Sequence, residues 1–438
     1  MKRDFQILIL VSVGLSGASA LSAQGAGAGT GLVSDFVNRG LPGWLRFSGE
    51  DRVRLEDLDG IGFKSAGNEY LLQRLRLNML VAPLPWLKFN FQAQDSRVAF
   101  SNVHPSPSSQ LDPMDLRLGY MEVGNSEEGH MSMRVGRQAL AFGEGRLLAD
   151  PAWSNVGRSF DAVRLTLRFH GIRLDAFTSA SDKIITDGCD TPVLGEHFHG
   201  LYGSMSKLIP GATVEPYLFW KLEHNIKAEL GGSGNLDERT AGVRLVGKLP
   251  LSLDYGVEMA LERGDIKGEP IDAWAAHWVA GYTVAKARKG PRVFAELNRA
   301  SGDANAKDGV HGAFDPLFAS SHDKFGVADQ FTWTNLWHFR PGVEYRLRPT
   351  LKLAAAYNSF WLVNIKDGIY NSGKVTIASN GTQGRHVGQE PDIQAQWSVT
   401  RQTVVDAAYG YIFPGEFLRK TSHDFSYHCI FLGITQRF

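Results

Sequence analysis

DFSYHCIFLGITQRF, residues 424–438, ends the chain with two chemically different faces. Ile430, Leu432 and Phe438 fall on one face of an extended segment, whereas Arg437 falls on the other. Side chains point alternately to opposite faces of a β-strand, so this period of two predicts a strand with one apolar face. The same alternation recurs about eighteen times along the chain, which makes it the main signal of the fold.

The gaps between these segments favour a membrane barrel over a soluble sandwich. Short and long gaps alternate, as expected where one rim of a barrel faces the periplasm and the other faces the outside. We therefore predict an all-β fold, a transmembrane antiparallel β-barrel of about 18 strands with short periplasmic turns and long extracellular loops. The predicted strands span residues 44–54, 69–81, 86–97, 111–123, 130–142, 160–169, 171–180, 197–207, 212–223, 236–248, 251–263, 271–285, 291–300, 333–347, 350–363, 388–400, 402–414 and 424–438.

Composition narrows the class of protein further. Hydrophobic residues make up 43% of the 438 residues, but after the N-terminus no stretch reaches the length of a membrane-spanning helix. Lys+Arg and Asp+Glu are equal at 46 each, so a basic protein that coats nucleic acid is not expected. Two cysteines are too few for a disulfide framework.

The N-terminus has the features of a secretory signal peptide. Lys2 and Arg3 precede a short apolar stretch, and small residues follow it as far as Ala23. Cleavage after Ala23 is preferred, with Ala20 as the alternative. Export followed by β-alternation predicts the outer membrane of a Gram-negative bacterium. The expected organisation is a signal peptide over residues 1–23, a flexible leader over 24–43 and one barrel domain over 44–438.

Charged residues occupy the rows opposite the lipid-facing ones, where they face the predicted lumen. Arginines concentrate on the early strands and carboxylates on the later ones, which predicts an electric field across the pore. Guanidinium groups stay charged and bind carboxylates in a fork geometry, so this lining suits an anion that binds weakly enough to leave. Alternatively, each arginine pairs with a neighbouring acid and holds the interior together. The predicted lumen residues are Arg74, Arg76, Asn78, Asp115, Arg117, Ser132, Arg134, Gln138, Arg164, Thr166, Arg168, Asp175, Arg244, Lys248, Asp254, Glu258, Glu262, Glu296, Arg340, Glu344, Arg346, Asp392 and Asp406.

The most specific motifs lie between residues 134 and 164. They are RVGRQ at 134–138, FGEGRLL at 142–148 and WSNVGRSFDAVR at 153–164, preceded by RLR at 74–76 and QDSR at 94–97. These motifs resemble the alginate export family of outer-membrane porins, and the likeness extends over roughly residues 44–438.

The resemblance implies a monomeric barrel of eighteen strands that passes a negatively charged uronate polymer by passive diffusion through an arginine-rich constriction. With Arg76 from the lumen-facing row, the candidate pore-lining or substrate-binding residues are Arg74, Arg76, Arg97, Arg134, Arg146, Arg158 and Arg164, with Asp95, Glu144 and Asp161 as countercharges.

Three of these candidates conflict with the strand register. Asp95, Arg97 and Asp161 fall on the lipid-facing rows, so they require a strand end, a bulge or an inward-folded loop. Residues 143–159 contain three further candidates in a predicted outer loop, so we expect this loop to fold into the lumen.

The sequence suggests no catalytic constellation, and we expect neither enzyme activity nor a cofactor. His197 and His199 are too few for a metal site. Asp303, Asn305 and Asp308 resemble a calcium loop without its final Glu, which leaves a looser Ca²⁺ site open. Two other functions stay open: a substrate-selective uptake porin for small carboxylates or sugars, and a plugged barrel acting as an adhesin or enzyme.

Expected partners follow from the same reading. They are an anionic saccharide, outer-membrane lipid, the barrel-assembly machinery and periplasmic export or uptake components. The apolar row that ends at Phe438 resembles the signal for barrel assembly, although Gln436 interrupts it.

Overall fold

The computed structural model is a closed antiparallel barrel of 18 strands. It describes residues 33–127, 129–284 and 290–438, so the predicted signal peptide and residues 24–32 of the leader lie outside the described residues. The barrel closes because β1 (Leu45–Asp59) pairs with β2 (Gly67–Leu84) on one side and with β21 (Tyr427–Arg437) on the other. The terminal segment predicted as a strand is thus the closing strand.

The remaining elements follow in chain order. The barrel strands between β2 and β21 are β3 (Leu87–Ala99), β4 (Asp112–Gly124), β5 (Met131–Gln138), β6 (Phe160–Phe169), β7 (Ile172–Lys183), β9 (Glu196–Ile209), β10 (Ala212–Lys227), β11 (Ser233–Leu249), β12 (Leu253–Ile266), β13 (Glu269–Thr283), β14 (Arg292–Ala300), β15 (Leu336–Arg348), β16 (Leu351–Leu362), β19 (His386–Ser398) and β20 (Thr403–Pro414). Short elements in the connections are α1 (Val33–Arg39), a 3₁₀ turn (Ile61–Phe63), β8 (Thr191–Pro192), β17 (Ile369–Asn371), β18 (Lys374–Ile377) and α2 (Glu416–Lys420). Among the described residues, no helix is long and apolar enough to cross a membrane.

Each predicted strand corresponds to one barrel strand, with ends that differ by a few residues.

We call the rim with the start of β1 and the end of β21 the turn rim, and the opposite rim the loop rim. The predicted strict alternation of gap lengths is wrong at Lys267-Gly268, a two-residue turn on the loop rim. Both residues have positive φ, 58° and 86°, which suits the tight hairpin turn that twisted strands favour. Because β12 and β13 pair as far as this rim, no longer loop is needed.

The two faces of the barrel wall differ as the alternation predicts. On β12, Met259 and Leu261 are about half exposed on the outer surface, whereas Glu258 and Glu262 are buried inside. On the neighbouring β13, Trp278 continues the exposed apolar row and is paired with β12 through Val257. The outer rows therefore suit contact with lipid, and the inner rows are polar.

Two long connections fold into the lumen rather than away from the barrel. We call residues 139–159 loop A and residues 301–335 loop B. They meet through a parallel bridge between Leu148 and Phe318, and Trp333 of loop B is fully buried. The inward fold expected for residues 143–159 is what the structure shows.

Loop B is a long connection at the loop rim, as predicted, but the sequence did not predict that it folds inward. Its residues Phe314, Phe325 and Phe331 are each at most 2% exposed, because they join the aromatic core inside the barrel. The apolar composition of the segment, rather than its length, explains why it folds inward.

Candidate functional site

A row of lumen-facing arginines on the first strands holds loop A by its backbone. Arg52 Nη1 donates to the carbonyl oxygen of Ala152 at 2.7 Å, and Arg74 Nη1 donates to the same oxygen at 3.0 Å. Arg54 Nη1 donates to the carbonyl oxygen of Trp153 at 2.6 Å. Arg52 and Arg54 were not among the predicted lumen residues, although they continue the even-numbered register of Arg74 on the adjacent strand.

This arginine wall carries more positive than negative charge. Its guanidinium groups belong to Arg52, Arg54, Arg74, Arg76 and Arg117, and three of them contact a carboxylate: Arg54 contacts Glu56, Arg74 contacts Glu50 and Arg117 contacts Asp150. Arg52 and Arg76 make no contact of this kind with any described residue. Arg76 instead donates from Nε to the amide oxygen of Gln94 at 2.6 Å. These two guanidinium groups therefore contact amide and carbonyl oxygens rather than a carboxylate.

The other end of loop A reaches the opposite wall of the barrel. Arg146 Nη2 lies 2.7 Å from Glu296 Oε1 on β14, and Glu144 Oε1 lies 2.9 Å from Arg244 Nη2 on β11. Burial alone raises the pKa of Glu144, but Arg146 and Arg244 outweigh it and hold that pKa below its usual range. Glu144 and Arg146 therefore serve to anchor loop A by ion pairs.

Trp153 of loop A lies where the two loops and the arginine wall meet. Its ring stacks on His322 of loop B, with ring centroids 3.7 Å apart and an interplanar angle of 4°. The Arg54 guanidinium lies 3.7 Å from the same indole ring, and Phe431 of β21 contacts it edge-on. A cation this close to an aromatic ring is attracted by the charge distribution of the ring.

Two cavities meet at this junction. A cavity of about 1140 Å³ opens towards the loop rim, and one of about 880 Å³ opens towards the turn rim. Arg54, Trp153, Ser320 and His322 line both. The junction therefore lies between the two cavities and borders both of them.

The two cavities differ in the balance of their charges. Carboxylates predominate in the loop-rim cavity, whereas the turn-rim cavity is more evenly balanced. The loop-rim cavity is lined by Arg54, Arg117, Arg158 and Lys221 against Glu56, Asp112, Asp182, Asp190, Glu223, Glu229, Glu238, Glu262, Asp303, Asp315 and Asp329. The turn-rim cavity is lined by Arg52, Arg54, Arg74, Arg173, Lys324, Lys352 and Arg437 against Glu50, Glu144, Asp150, Glu215, Asp323 and Asp406.

Arg134 and Arg164, two of the predicted pore-lining residues, face inward but are tied to acids. Arg134 Nε lies 2.6 Å from Glu122 Oε2, and Arg164 Nη2 lies 2.9 Å from Asp175 Oδ1. Neither arginine lines either of the two cavities. For this pair, the geometry matches the alternative in which an arginine and its neighbouring acid hold the interior together.

Arg158, at the end of loop A, lines the loop-rim cavity. Its guanidinium donates to the carbonyl oxygens of Phe318 and Ala319 in loop B. Burial lowers the pKa of Arg158 to about 10, and the charge of Asp150 opposes this shift. Arg158 therefore joins the two loops through a largely desolvated cation.

Asp95, Arg97 and Asp161 do not reach the lumen, and their placement corrects the prediction that they line it. Asp95 and Arg97 form an ion pair of 2.8 Å on the outer face of β3, where the Arg97 side chain is 53% exposed. Asp161 pairs with Arg137 at 3.1 Å on the outer face near the loop rim. The pairing of β3 with β2 stays regular through these positions, and the register shifts between β3 and β4 place the extra residues on β4, so Asp95 and Arg97 stay on the outer face.

An antiparallel barrel of eighteen strands with inward-folded loops has the architecture of outer-membrane porins. OpdQ of Pseudomonas aeruginosa is similar over 90% of this chain and 98% of its own, with a TM-score of 0.61 and 11% identity. OprD of the same organism is similar over 90% of this chain and 93% of its own, with a TM-score of 0.60 and 10% identity. The structure of OpdK with vanillate, also from that organism, is similar over 90% of this chain and 98% of its own, with a TM-score of 0.57 and 11% identity. At these identities the likeness shows the fold alone.

A family model identifies the family of this barrel more narrowly than the fold does. The model described as alginate export matches residues 43–429, and the chain belongs to the alginate export family. A search of curated proteins found no match. The family and the fold are those of channels rather than enzymes.

Proposed function

We propose that the protein is an outer-membrane channel that passes anionic saccharide, an alginate-like uronate polymer or oligomer, by passive diffusion. The observation that carries this proposal is the arginine wall, in which Arg52 and Arg76 have no carboxylate partner among the described residues. Fixed cations that lack an acid partner favour a mobile anion nearby. Membership of the alginate export family supports the choice of a uronate.

The path that we propose runs from one cavity to the other past Trp153. Arg54 and Arg74 line the turn-rim cavity, and Arg54 also lines the junction. Guanidinium groups bind carboxylates in a fork geometry, but here several of their N–H groups are already engaged by loop A. A uronate is therefore held weakly, as passage requires.

We also propose the setting in which the channel works. The apolar outer rows contact outer-membrane lipid, the turn rim faces the periplasm, and the loop rim faces outward. The chain acts as a monomer in a Gram-negative bacterium, is inserted by the barrel-assembly machinery and works with periplasmic export or uptake components.

Current block by oligouronates in a planar bilayer tests this function. We expect uronate oligomers to reduce the single-channel current, and longer oligomers to block for longer times. Arg76 lines neither cavity but lies two residues along β2 from Arg74, which lines the turn-rim cavity. Arg76→Gln should weaken the block severalfold through the loss of this nearby charge, while Gln keeps a hydrogen bond to Gln94. Arg97→Gln is the matched control, since Arg97 lies on the outer face.

An uptake porin for small carboxylates is the second candidate, and no specific observation favours it over the first. It would show block by monomeric carboxylates with no dependence on oligomer length. The complete absence of conductance would instead favour the plugged barrel.

A further inference from the structure

A group of carboxylates at the loop rim lies outside the arginine wall. Asp112 and Asp115 are among the first four residues of strand β4, and Asp190 belongs to the connection between β7 and β9. One oxygen from each of these residues lies within 4.8 Å of the others. We call Asp112, Asp115 and Asp190 the rim triad. Calcium binds oxygen ligands at about 2.3–2.6 Å, so oxygens at this spacing can share one ion.

A buried oxygen within the triad has no hydrogen-bond partner. Asp112 is 2% exposed, and its Oδ1 accepts no hydrogen bond from any described residue. The other two carboxylates accept hydrogen bonds from backbone N–H groups. Asp115 accepts from Leu116 and Asp190, and Asp190 accepts from Ile185. A carboxylate oxygen buried without a donor is costly, because it has lost water and gained nothing.

The charge of the triad is also left without a cation. In the part of the chain that the structure describes, no Lys, Arg or His nitrogen forms an ion pair with a carboxylate of the triad. Arg137 comes near, since its Nη2 lies 3.2 Å from the backbone oxygen of Asp190. Its guanidinium, however, is paired with Asp161 and Asp182, both at 3.1 Å. Arg137 is therefore engaged by two other carboxylates and forms no ion pair with the triad.

We propose that the rim triad binds a divalent cation, Ca²⁺, through one carboxylate oxygen from each residue. The orphaned Oδ1 of Asp112 supplies a ligand, and solvent completes the coordination. The ion would tie the connection between β7 and β9 to β4 at the mouth of the loop-rim cavity, which Asp112 and Asp190 both line. This site differs from the loop at Asp303 and Asp308, whose carboxylates accept nearby backbone N–H groups.

Calcium titration of the full-length protein in detergent tests the site. Isothermal calorimetry should show one saturable Ca²⁺ site per chain, with a Kd on the order of 10⁻⁴–10⁻³ M, the range of extracellular calcium modules. We expect the double variant Asp112→Asn and Asp190→Asn to weaken binding at least tenfold. Asp272→Asn, an exposed loop-rim acid outside the triad, should bind as the unmodified protein does.

A second readout keeps the proposal testable if the double variant folds poorly. Ca²⁺ should slow hydrogen exchange in residues 184–195 of the unmodified protein, and EDTA should reverse the effect. The single variant Asp112→Asn should show the slow exchange neither with nor without Ca²⁺. Unchanged affinity in the double variant, or the absence of saturable binding in the unmodified protein, would overturn the proposal.

Discussion

Arg52 and Arg74 lie opposite each other on β1 and β2, and both donate a hydrogen bond to the carbonyl oxygen of Ala152. Like charges directly opposite each other in a sheet repel, so this arrangement needs compensation. Glu50, which lies 2.7 Å from Arg74, supplies part of it, and the carbonyl dipoles of loop A supply the rest. The arginines thus position the loop at the same time as they charge the wall.

Removal of this pair should release loop A. The double variant Arg52→Ala and Arg74→Ala loses the hydrogen bonds to Ala152, each worth about 1.5–3 kcal/mol when the donor is charged. We expect larger and noisier single-channel currents, because the loop no longer holds its place in the lumen. Currents equal to those of the unmodified protein would show that the arginines do not position the loop. Arg97→Ala serves as the control on the outer face.

Trp153 should limit the width of the junction between the two cavities. Trp153→Ala removes the ring that stacks on His322 and contacts Arg54. We expect the conductance to rise, and Trp153→Phe to lie between the two values because a smaller ring remains. Conductance that is the same in all three proteins would place the narrowest point elsewhere.

The ion pair of Arg146 and Glu296 should contribute to stability rather than to transport. Both side chains are less than 8% exposed, so Arg146→Met leaves the buried Glu296 with only the more distant Arg340, 3.7 Å away, as an arginine partner. The expected cost is about 3–5 kcal/mol, seen as a lower midpoint of thermal unfolding in detergent. The double variant Arg146→Met and Glu296→Gln should recover most of this loss. A single variant as stable as the unmodified protein would rule out the anchoring role.

The loop rim should loosen locally at alkaline pH. Burial and the neighbouring carboxyl of Asp303 raise the pKa of Glu229 to about 7. Because this folded-state pKa lies above the ordinary value of 4.5, the folded loop is favoured at low pH and loses stability as the pH rises from 4.5 through 7. Hydrogen-exchange protection factors in residues 228–232 should therefore be lower at pH 8 than at pH 6.

Glu229→Gln provides the control for this pH effect. The variant keeps His311, whose ring contacts Glu229 and Glu269, but removes the titration of the carboxyl. The difference between the two pH values should shrink in the variant. An equal difference in both proteins would assign the effect to another group.

The sequence was sufficient to predict the wall of the barrel but not its contents. A period of two places each strand because lipid outside and water inside select opposite residue types at every step. Loop B carries no such period, so its inward fold depends on long-range burial of residues such as Phe325 and Phe331. Arg52 and Arg54 lie within the first predicted strand, but no lumen row was assigned to that strand, so both residues were missed.

Ion pairing was the other feature beyond the reach of the sequence. Register alone places Arg164 and Arg76 equally in the lumen, yet Arg164 is paired with Asp175 and Arg76 has no acid partner. Which arginine keeps its charge available depends on the neighbouring strand and on loop A. For Asp95 and Arg97, by contrast, the strand register alone gave the outer face correctly, and the motif resemblance wrongly assigned both residues to the lumen.

The reversal potential under a KCl gradient in a planar bilayer tests the central claim most directly. The account predicts that the unmodified channel prefers chloride over potassium, and that Arg76→Gln reduces this preference whereas Arg97→Gln leaves it unchanged. A preference for potassium in the unmodified channel would contradict the account.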